Sequence, residues 1–270
     1  MNYYTITPSE KLKPFVRFFW VFENEVNDKP YVYRSMADGC AELLFHYKGT
    51  FNSLENGKEQ TGTKQPLSLI HSQSSIFKEF ITKESFGIFG VYLYPFALPQ
   101  LFSLPSSDFS NQTPDLKNIF HKEGKELEEK IMLATDNIQR VKILSAFLED
   151  RLFNSKIRDP FVPASIKHVI HSNGITSVSA LAEKYNFSTR QFERKFKEYS
   201  GFSPKLYLRI VRFESALKEY GSNNKSLTEI AYKCGYYDQS HFIHEFKLFS
   251  GYHPKEYFIN SREDAELRIT

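Results

Sequence analysis

The stretch ALAEKYNFSTRQFERKFKEYSGFSPKLY, Ala180 to Tyr207, returns as EIAYKCGYYDQSHFIHEFKLFSGYHPKEY, Glu229 to Tyr257. Ala182 matches Ala231 and Phe187 matches Tyr236 at an offset of 49. Phe192 then matches Phe242, Phe196 matches Phe246, Ser200-Gly201 matches Ser250-Gly251, Pro204 matches Pro254 and Tyr207 matches Tyr257, all at 50. The extra residue falls in a turn, where insertions are tolerated. Each copy reads as helix, tight turn, helix. Used twice, at about 177–199 and 227–249, that unit predicts two helix-turn-helix modules and a surface for DNA.

Capping residues mark the helices. Ser188 and Asp238 stand before the second helix of each unit, and Gln191 completes a capping box in the first. Ser203-Pro204 and His253-Pro254 place Pro at a first helical position. Between the units, Leu206, Ile210, Phe213 and Leu217 share one face of a single helix expected to stop at Gly221, and Ser226 to Glu229 is a capping box that restarts the chain. Upstream, Pro163 to Ser172 reads as a helix closed by Asn173-Gly174. Asp159-Pro160-Phe161-Val162-Pro163 reads as a linker, because Pro disfavours helix in the residue before it. It divides the chain into domains 1–158 and 161–260.

The first part is β-rich over 1–104 and helical over 115–154. Short aromatic or β-branched runs at 16–22, 31–33, 41–47, 68–70 and 86–94 are separated by turn signals such as Asn27-Asp28 and Asn56-Gly57. Many short strands without helical periods between them predict a small barrel or sandwich. Helices are expected from about Lys122 to Ala134 and from Asp136, with Gln139 as its capping-box partner, to about Phe153. Their apolar stripe (Leu127, Ile131, Ile138, Val141, Leu144, Leu148) either packs on the strands or forms a dimer interface. The expected class is multidomain α+β: a β-rich, cupin-like small barrel plus helices, then an all-α double helix-turn-helix.

Charge supports the division. Residues 161–260 carry 14 Lys and Arg against 9 Asp and Glu, a net +5, whereas residues 1–160 carry −1. So modest an excess implies phosphate contacts placed by geometry more than a large basic surface. Two cysteines, Cys40 and Cys234, in different parts of the chain make a disulfide framework unexpected. The least polar run, Phe86 to Phe102, is interrupted by Pro95 and Pro99 and reads as a strand and turn. With no basic-then-apolar leader, the expectation is a cytoplasmic protein with no membrane partner.

The second unit, through Ala231, Gly235-Tyr236, Asp238, Ser240-His241-Phe242, Phe246-Lys247, Gly251, Pro254 and Tyr257, resembles the AraC/XylS family of transcription regulators. The N-terminal part resembles sensor regions attached to such regulators, through Pro8, Leu12, Phe15-Val16, Trp20 and Asp38 to Leu43. The resemblance implies seven helices in the DNA domain and two recognition helices entering successive major grooves. It places Arg190, Glu193 and Arg194, and then Ser240, His241 and His244, at base-contacting positions. The helical period agrees: Phe192, Phe196 and Tyr199 face inward on one helix and Phe242, Phe246 and Phe249 on the other. This leaves Arg190, Gln191, Glu193, Arg194 and Lys197, and Gln239, Ser240, His241, His244 and Lys247, for DNA. Many relatives carry Arg where this chain has His244, so binding by the second module is expected to tighten as pH falls and the His241–His244 pair protonates.

The N-terminal part shows no convergent catalytic groups, no Gly-rich phosphate loop and no cofactor motif. A metal site from Glu42, His46 and His71 is weighed and set aside, because no ligand motif links them. A metal-binding or enzymatic barrel with an appended DNA-binding domain is the alternative. The aromatic residues read as barrel core or as the lining of an effector pocket, for which the candidates are Trp20, Tyr33, Asp38, Glu42, Phe45 and Tyr92. The expected partners are double-stranded DNA, a small effector, RNA polymerase and a second copy of the chain.

Overall fold

The computed structural model describes residues 1–25, 29–55, 57–155, 159–220 and 225–260. The turn expected at Asn27-Asp28, Asn56 and the helix stop at Gly221 lie outside the described residues. Nine strands form two antiparallel sheets among those residues. The first joins β1 (Asn2–Ile6), β2 (Val16–Asn24), β9 (Phe86–Leu93), β4 (Ala41–Lys48) and β7 (Ser68–His71), in that order. The second runs β3 (Tyr31–Ser35), β8 (Lys78–Thr82), β5 (Asn52–Glu55), β6 (Lys58–Lys64).

Side-chain alternation divides the first sheet into two working faces. Phe19 and Val21 of β2, Leu43 and Phe45 of β4, and Phe89 and Val91 of β9 point to one side and are fully buried. There they join Leu127 and Ile131 of α2 (Leu116–Leu133) and Leu144 and Leu148 of α3 (Asn137–Asn154). The apolar stripe on these helices therefore packs within the chain, while Ile138 stays exposed. The other parity, including Phe22 and Ile88, turns toward Phe51, just before β5, and Phe80 of β8. Gly90 has a structural reason: a Cβ there would lie 2.5 Å from the indole of Trp20 on the neighbouring strand.

Local signals account for most departures from expectation. Helix α2 starts at Leu116, capped by Asp115, and breaks at His121, whose φ is 49°, so only its second segment carries the pattern read from Lys122. Asp136 caps α3 as expected, but the Gln139 side chain accepts the N–H of Thr135 instead of closing a box on Asp136. Asp159 to Pro163 is a helix start and not a free linker. Asp159 is buried, accepts the N–H groups of Phe161 and Val162, and pairs with Lys195 at 2.5 Å. A short helix α1 (Ala97–Phe102) follows β9.

From Asp159 onward seven helices follow among the described residues, as the family resemblance implies: α4 (Phe161–His171), α5 (Val178–Lys184), α6 (Thr189–Ser200), α7 (Pro204–Tyr220), α8 (Leu227–Lys233), α9 (Gln239–Ser250) and α10 (Pro254–Asn260). Their aromatic core repeats with the sequence. Phe192, Phe196 and Tyr207 serve the first unit, and Phe242, Phe246 and Tyr257 serve the second. The chain is thus α+β, with β-rich and all-helical parts. No described helix is long and apolar enough to cross a membrane.

Candidate DNA interface and the cavity behind it

The two second helices of the units, α6 and α9, begin alike. The Ser188 side chain accepts the N–H of Gln191 and Gln191 reaches back, closing a capping box, while Asp238 accepts the N–H of His241 at 2.7 Å. They also end alike. Gly201 and Gly251, fifty residues apart, cap them with φ of 85° and 75°, a left-handed conformation that glycine adopts without the Cβ penalty.

Between these caps the polar faces are presented to solvent. Arg190, Glu193, Arg194 and Lys197 are exposed on α6, and Ser240, His244 and Lys247 on α9. Three candidates have structural duties as well. Gln191 is exposed but its Oε1 serves the cap, and Gln239 accepts a hydrogen bond from the Thr228 hydroxyl at 2.9 Å. His241 is held: its Nε2 lies 3.3 Å from Glu245 and its ring meets Tyr236 edge-on, 5.5 Å between centroids. The two histidines are both exposed but stand in different settings, since His241 is held by Glu245 and Tyr236. Glu245 is buried on α9 and ion-paired to Arg209 of α7, which fastens α9 to the helix that connects the two units.

One exposed residue was missed. Tyr237, the insertion between the two offsets, is 86% exposed immediately before the cap of α9. Its signal was in the sequence, since the extra residue is a tyrosine immediately before the capping Asp238.

Behind the two modules lies a cavity of about 140 Å³ between the facing sheets. Trp20, Tyr33, Asp38, Glu42 and Tyr92 line it, as do His46 and His71. Phe45 does not: it has the wrong parity on β4 and is sealed against α2 and α3. His46 is held neutral, its pKa pushed down to about 4 by burial, and its Nδ1 lies 3.0 Å from the Pro66 carbonyl. Among the described residues no group of three His, Cys, Asp or Glu is placed to hold a metal ion.

The far end of the cavity is closed by α7, which contributes Glu214, Leu217 and Lys218. The N–H of Gly39 donates to Glu214 Oε1 at 2.9 Å, and Asp38 accepts the N–H of Cys40 and the hydroxyl of Tyr92. Arg17 donates to Cys40 Sγ at 3.5 Å and lies 5.0 Å over the Tyr92 ring. Burial, then the charge of Asp38, raises the Glu214 carboxyl from its ordinary 4.5 to about 7. A carboxyl that holds its proton more tightly folded than unfolded contributes stability at low pH and loses it as pH rises from about 4.5 to 7. Glu214→Gln is expected to flatten that fall, which urea midpoints between pH 5 and 8 would read. An unchanged slope would mean that Glu214 does not titrate there. The signal for Glu214 was a carboxylate on the apolar stripe of α7, four residues after Ile210 and three before Leu217.

The sheet part also touches both modules at equivalent points. A Cβ at Gly201 would lie 2.8 Å from Ser110 Oγ, and one at Gly251 would lie 2.8 Å from the Phe77 ring. Ser110 donates to the Gly201 carbonyl at 2.7 Å, and the Ala37 N–H donates to the Phe249 carbonyl at 2.9 Å.

Comparison with known proteins gives two family matches: a helix-turn-helix domain over residues 181–259, and a domain of unknown function (DUF6597) over residues 4–115. The HTH-type transcriptional activator RhaS of Escherichia fergusonii is 28% identical over 141 residues, which is 50% of this chain and 49% of the relative. RhaS of Salmonella arizonae is 30% identical over 132 residues, 49% of this chain and 40% of the relative. The chain thus matches about half, or less, of the length of these curated relatives. Among solved structures, ToxT of Vibrio cholerae covers 89% of this chain and 97% of its own, with a TM-score of 0.49 and 13% identity. The duplicated and capped helices, the spaced Gly, Pro and aromatic positions, and the match over residues 181–259 agree: this chain carries a helix-turn-helix domain, and over about half its length it is similar to HTH-type transcriptional activators.

Proposed function

We propose that this chain binds specific DNA sequences through α6 and α9, which enter adjacent major grooves on one face of the duplex, and that a small effector in the inter-sheet cavity modulates that binding. The observation that carries this reading is α7. One rigid helix joins the two reading modules and also closes the cavity. On α6, Arg190 and Arg194 suit the O6 and N7 of guanine, and Glu193 suits the N4 of cytosine. On α9, Ser240 and His244 face base edges, with His241 behind them. Lys197 and Lys247, farther from the caps, meet phosphates, and Gln191 and Gln239 brace the helix starts. The match to relatives named as transcriptional activators supports the regulatory half of the proposal. RNA polymerase and a second copy of the chain are further partners under this reading, and a cytoplasmic location follows from it.

Tyr237 fits this geometry as a phosphate contact, its hydroxyl donating beside the N-terminus of α9. Tyr237→Phe removes only that hydroxyl and is expected to weaken binding about tenfold on every sequence, since a hydrogen bond to a charged group contributes about 1.5–3 kcal/mol. Fluorescence anisotropy at fixed salt reads the change, and an unaltered affinity would return Tyr237 to plain surface.

Selection from a random DNA pool, with and without a metabolite mixture, tests the whole proposal. The expected product is a two-part motif whose halves lie about one helical turn apart, with enrichment that shifts when metabolites are present. Recovery of no preferred sequence would overturn it.

A further inference from the structure

Building on the reading of the cavity as an effector site, we propose that it takes a compact organic cation, a single-ring amine or guanidine, whose charge sits between Asp38 and Glu214. Charges removed from water are ordinarily paired. Here two carboxylates from different parts of the chain meet at one end of the cavity, each only partly exposed, and neither makes an ion pair among the described residues. Their hydrogen bonds come from backbone N–H groups and a tyrosine hydroxyl, which orient the oxygens without neutralising them. Two cations stand at this end, Arg17 and Lys218, and both act on Glu214 through their charge, but the Arg17 guanidinium is turned to Cys40 Sγ and the Tyr92 ring. Lys218, one turn beyond Glu214, is exposed.

The walls select an organic cation over an inorganic one. Trp20, Phe22, Tyr33, Phe51 and Phe80 bring ring surfaces to the cavity, and such surfaces attract ammonium and guanidinium groups. A hard metal ion takes six or more oxygens gathered at one point, and among the described residues no group of three His, Cys, Asp or Glu is placed to hold one. Volume sets the scale: about 140 Å³ is close to the roughly 150 Å³ cavity that accommodates benzene, so the body is one ring.

The groups facing Glu214 are Asp38, Arg17, Cys40, Tyr92, Tyr207 and Lys218. Burial holds Cys40, Tyr92 and Tyr207 neutral, so the balance lies among two carboxylates and two cations. With Glu214 poised at about 7, an arriving cation displaces its proton, and affinity rises from pH 6 to pH 8. The bound cation then joins Asp38 on the sheet part to Glu214 on α7, the helix that spaces the two reading modules.

The chain's single tryptophan, Trp20, lies in the cavity wall and reports occupancy by its fluorescence. The probes are benzylamine and benzyltrimethylammonium, with benzyl alcohol and benzoate as size-matched neutral and anionic partners. The whole chain is expected to bind the cations at least tenfold more tightly than the alcohol. Calorimetry at pH 7 in buffers of different ionisation heat should show protons released on binding. Glu214→Gln and Asp38→Asn should each weaken the cations tenfold and leave the alcohol unchanged; the calorimetry on the unaltered chain stands even if a variant fails to fold. If the alcohol or benzoate binds as tightly as the cations, or no proton is released, the cation assignment is overturned while the cavity remains an effector site. If no probe binds, both readings fall.

Discussion

Arg209→Ala is expected to cost about 3–5 kcal/mol of stability, because it leaves the Glu245 carboxylate buried without its guanidinium. Glu245 side-chain exposure is 3%, so water cannot take over, and His241 at 3.3 Å offers only a partial substitute. Packing is lost as well, since the Arg209 guanidinium lies 5.4 Å over the Phe249 ring. Arg209 comes from α7 and Glu245 from α9, so the damage falls on the joint that positions the second reading helix. Urea midpoints of the whole chain measure the loss. A deficit under about 1 kcal/mol, the range of an exposed pair, would show that the pair does not hold the joint.

Arg194→Ala is expected to remove about 1–3 kcal/mol of discrimination at one base pair while leaving other positions of the site as selective as before. Lys197→Ala should behave differently, weakening all sequences alike and lowering the salt slope by about one. Both side chains are exposed on α6, and they differ in distance from the cap at Ser188. Binding to a panel of single-base variants at several salt concentrations separates the two behaviours. Equal losses on every sequence for both substitutions would mean that α6 is turned differently toward the duplex.

The helical part was legible because its determinants are local. An N-cap, a left-handed glycine and a Pro at the first helical position each act within a few residues, and their repetition at nearly constant spacing made the pattern hard to mistake. The sheet part was less so. Strands β1 and β8 have only short aromatic or β-branched runs, NYYTI and KEFIT, while β5 and β6 lack apolar runs and depend on their partners in the ladder. KEQTGTK at β6 has no β signature of its own. Phe45 is a different kind of error. By residue type it belongs with the aromatic candidates Trp20, Tyr33 and Tyr92, although its odd separation from Glu42 along β4 sends the two side chains to opposite faces. Parity was readable and would have favoured Leu44 and His46, which do line the cavity. The lid supplied by α7 was out of reach, because it depends on how sheet and helices dock. Asp159 to Pro163 carried the same ambiguity: Pro in a first turn and Pro in a linker look alike until the helix and the Lys195 partner are seen.

Under the proposed function, one rigid unit sets α6 and α9 in adjacent major grooves. Hydroxyl-radical footprinting of the whole chain on a site recovered from the random pool tests it most directly. Two protected windows are expected on one face of the duplex, centred about 10–10.5 base pairs or roughly 34 Å apart, with Arg194→Ala weakening one window and His244→Ala the other. A single protected window with the unaltered chain, or two windows that move independently in their spacing, would contradict it.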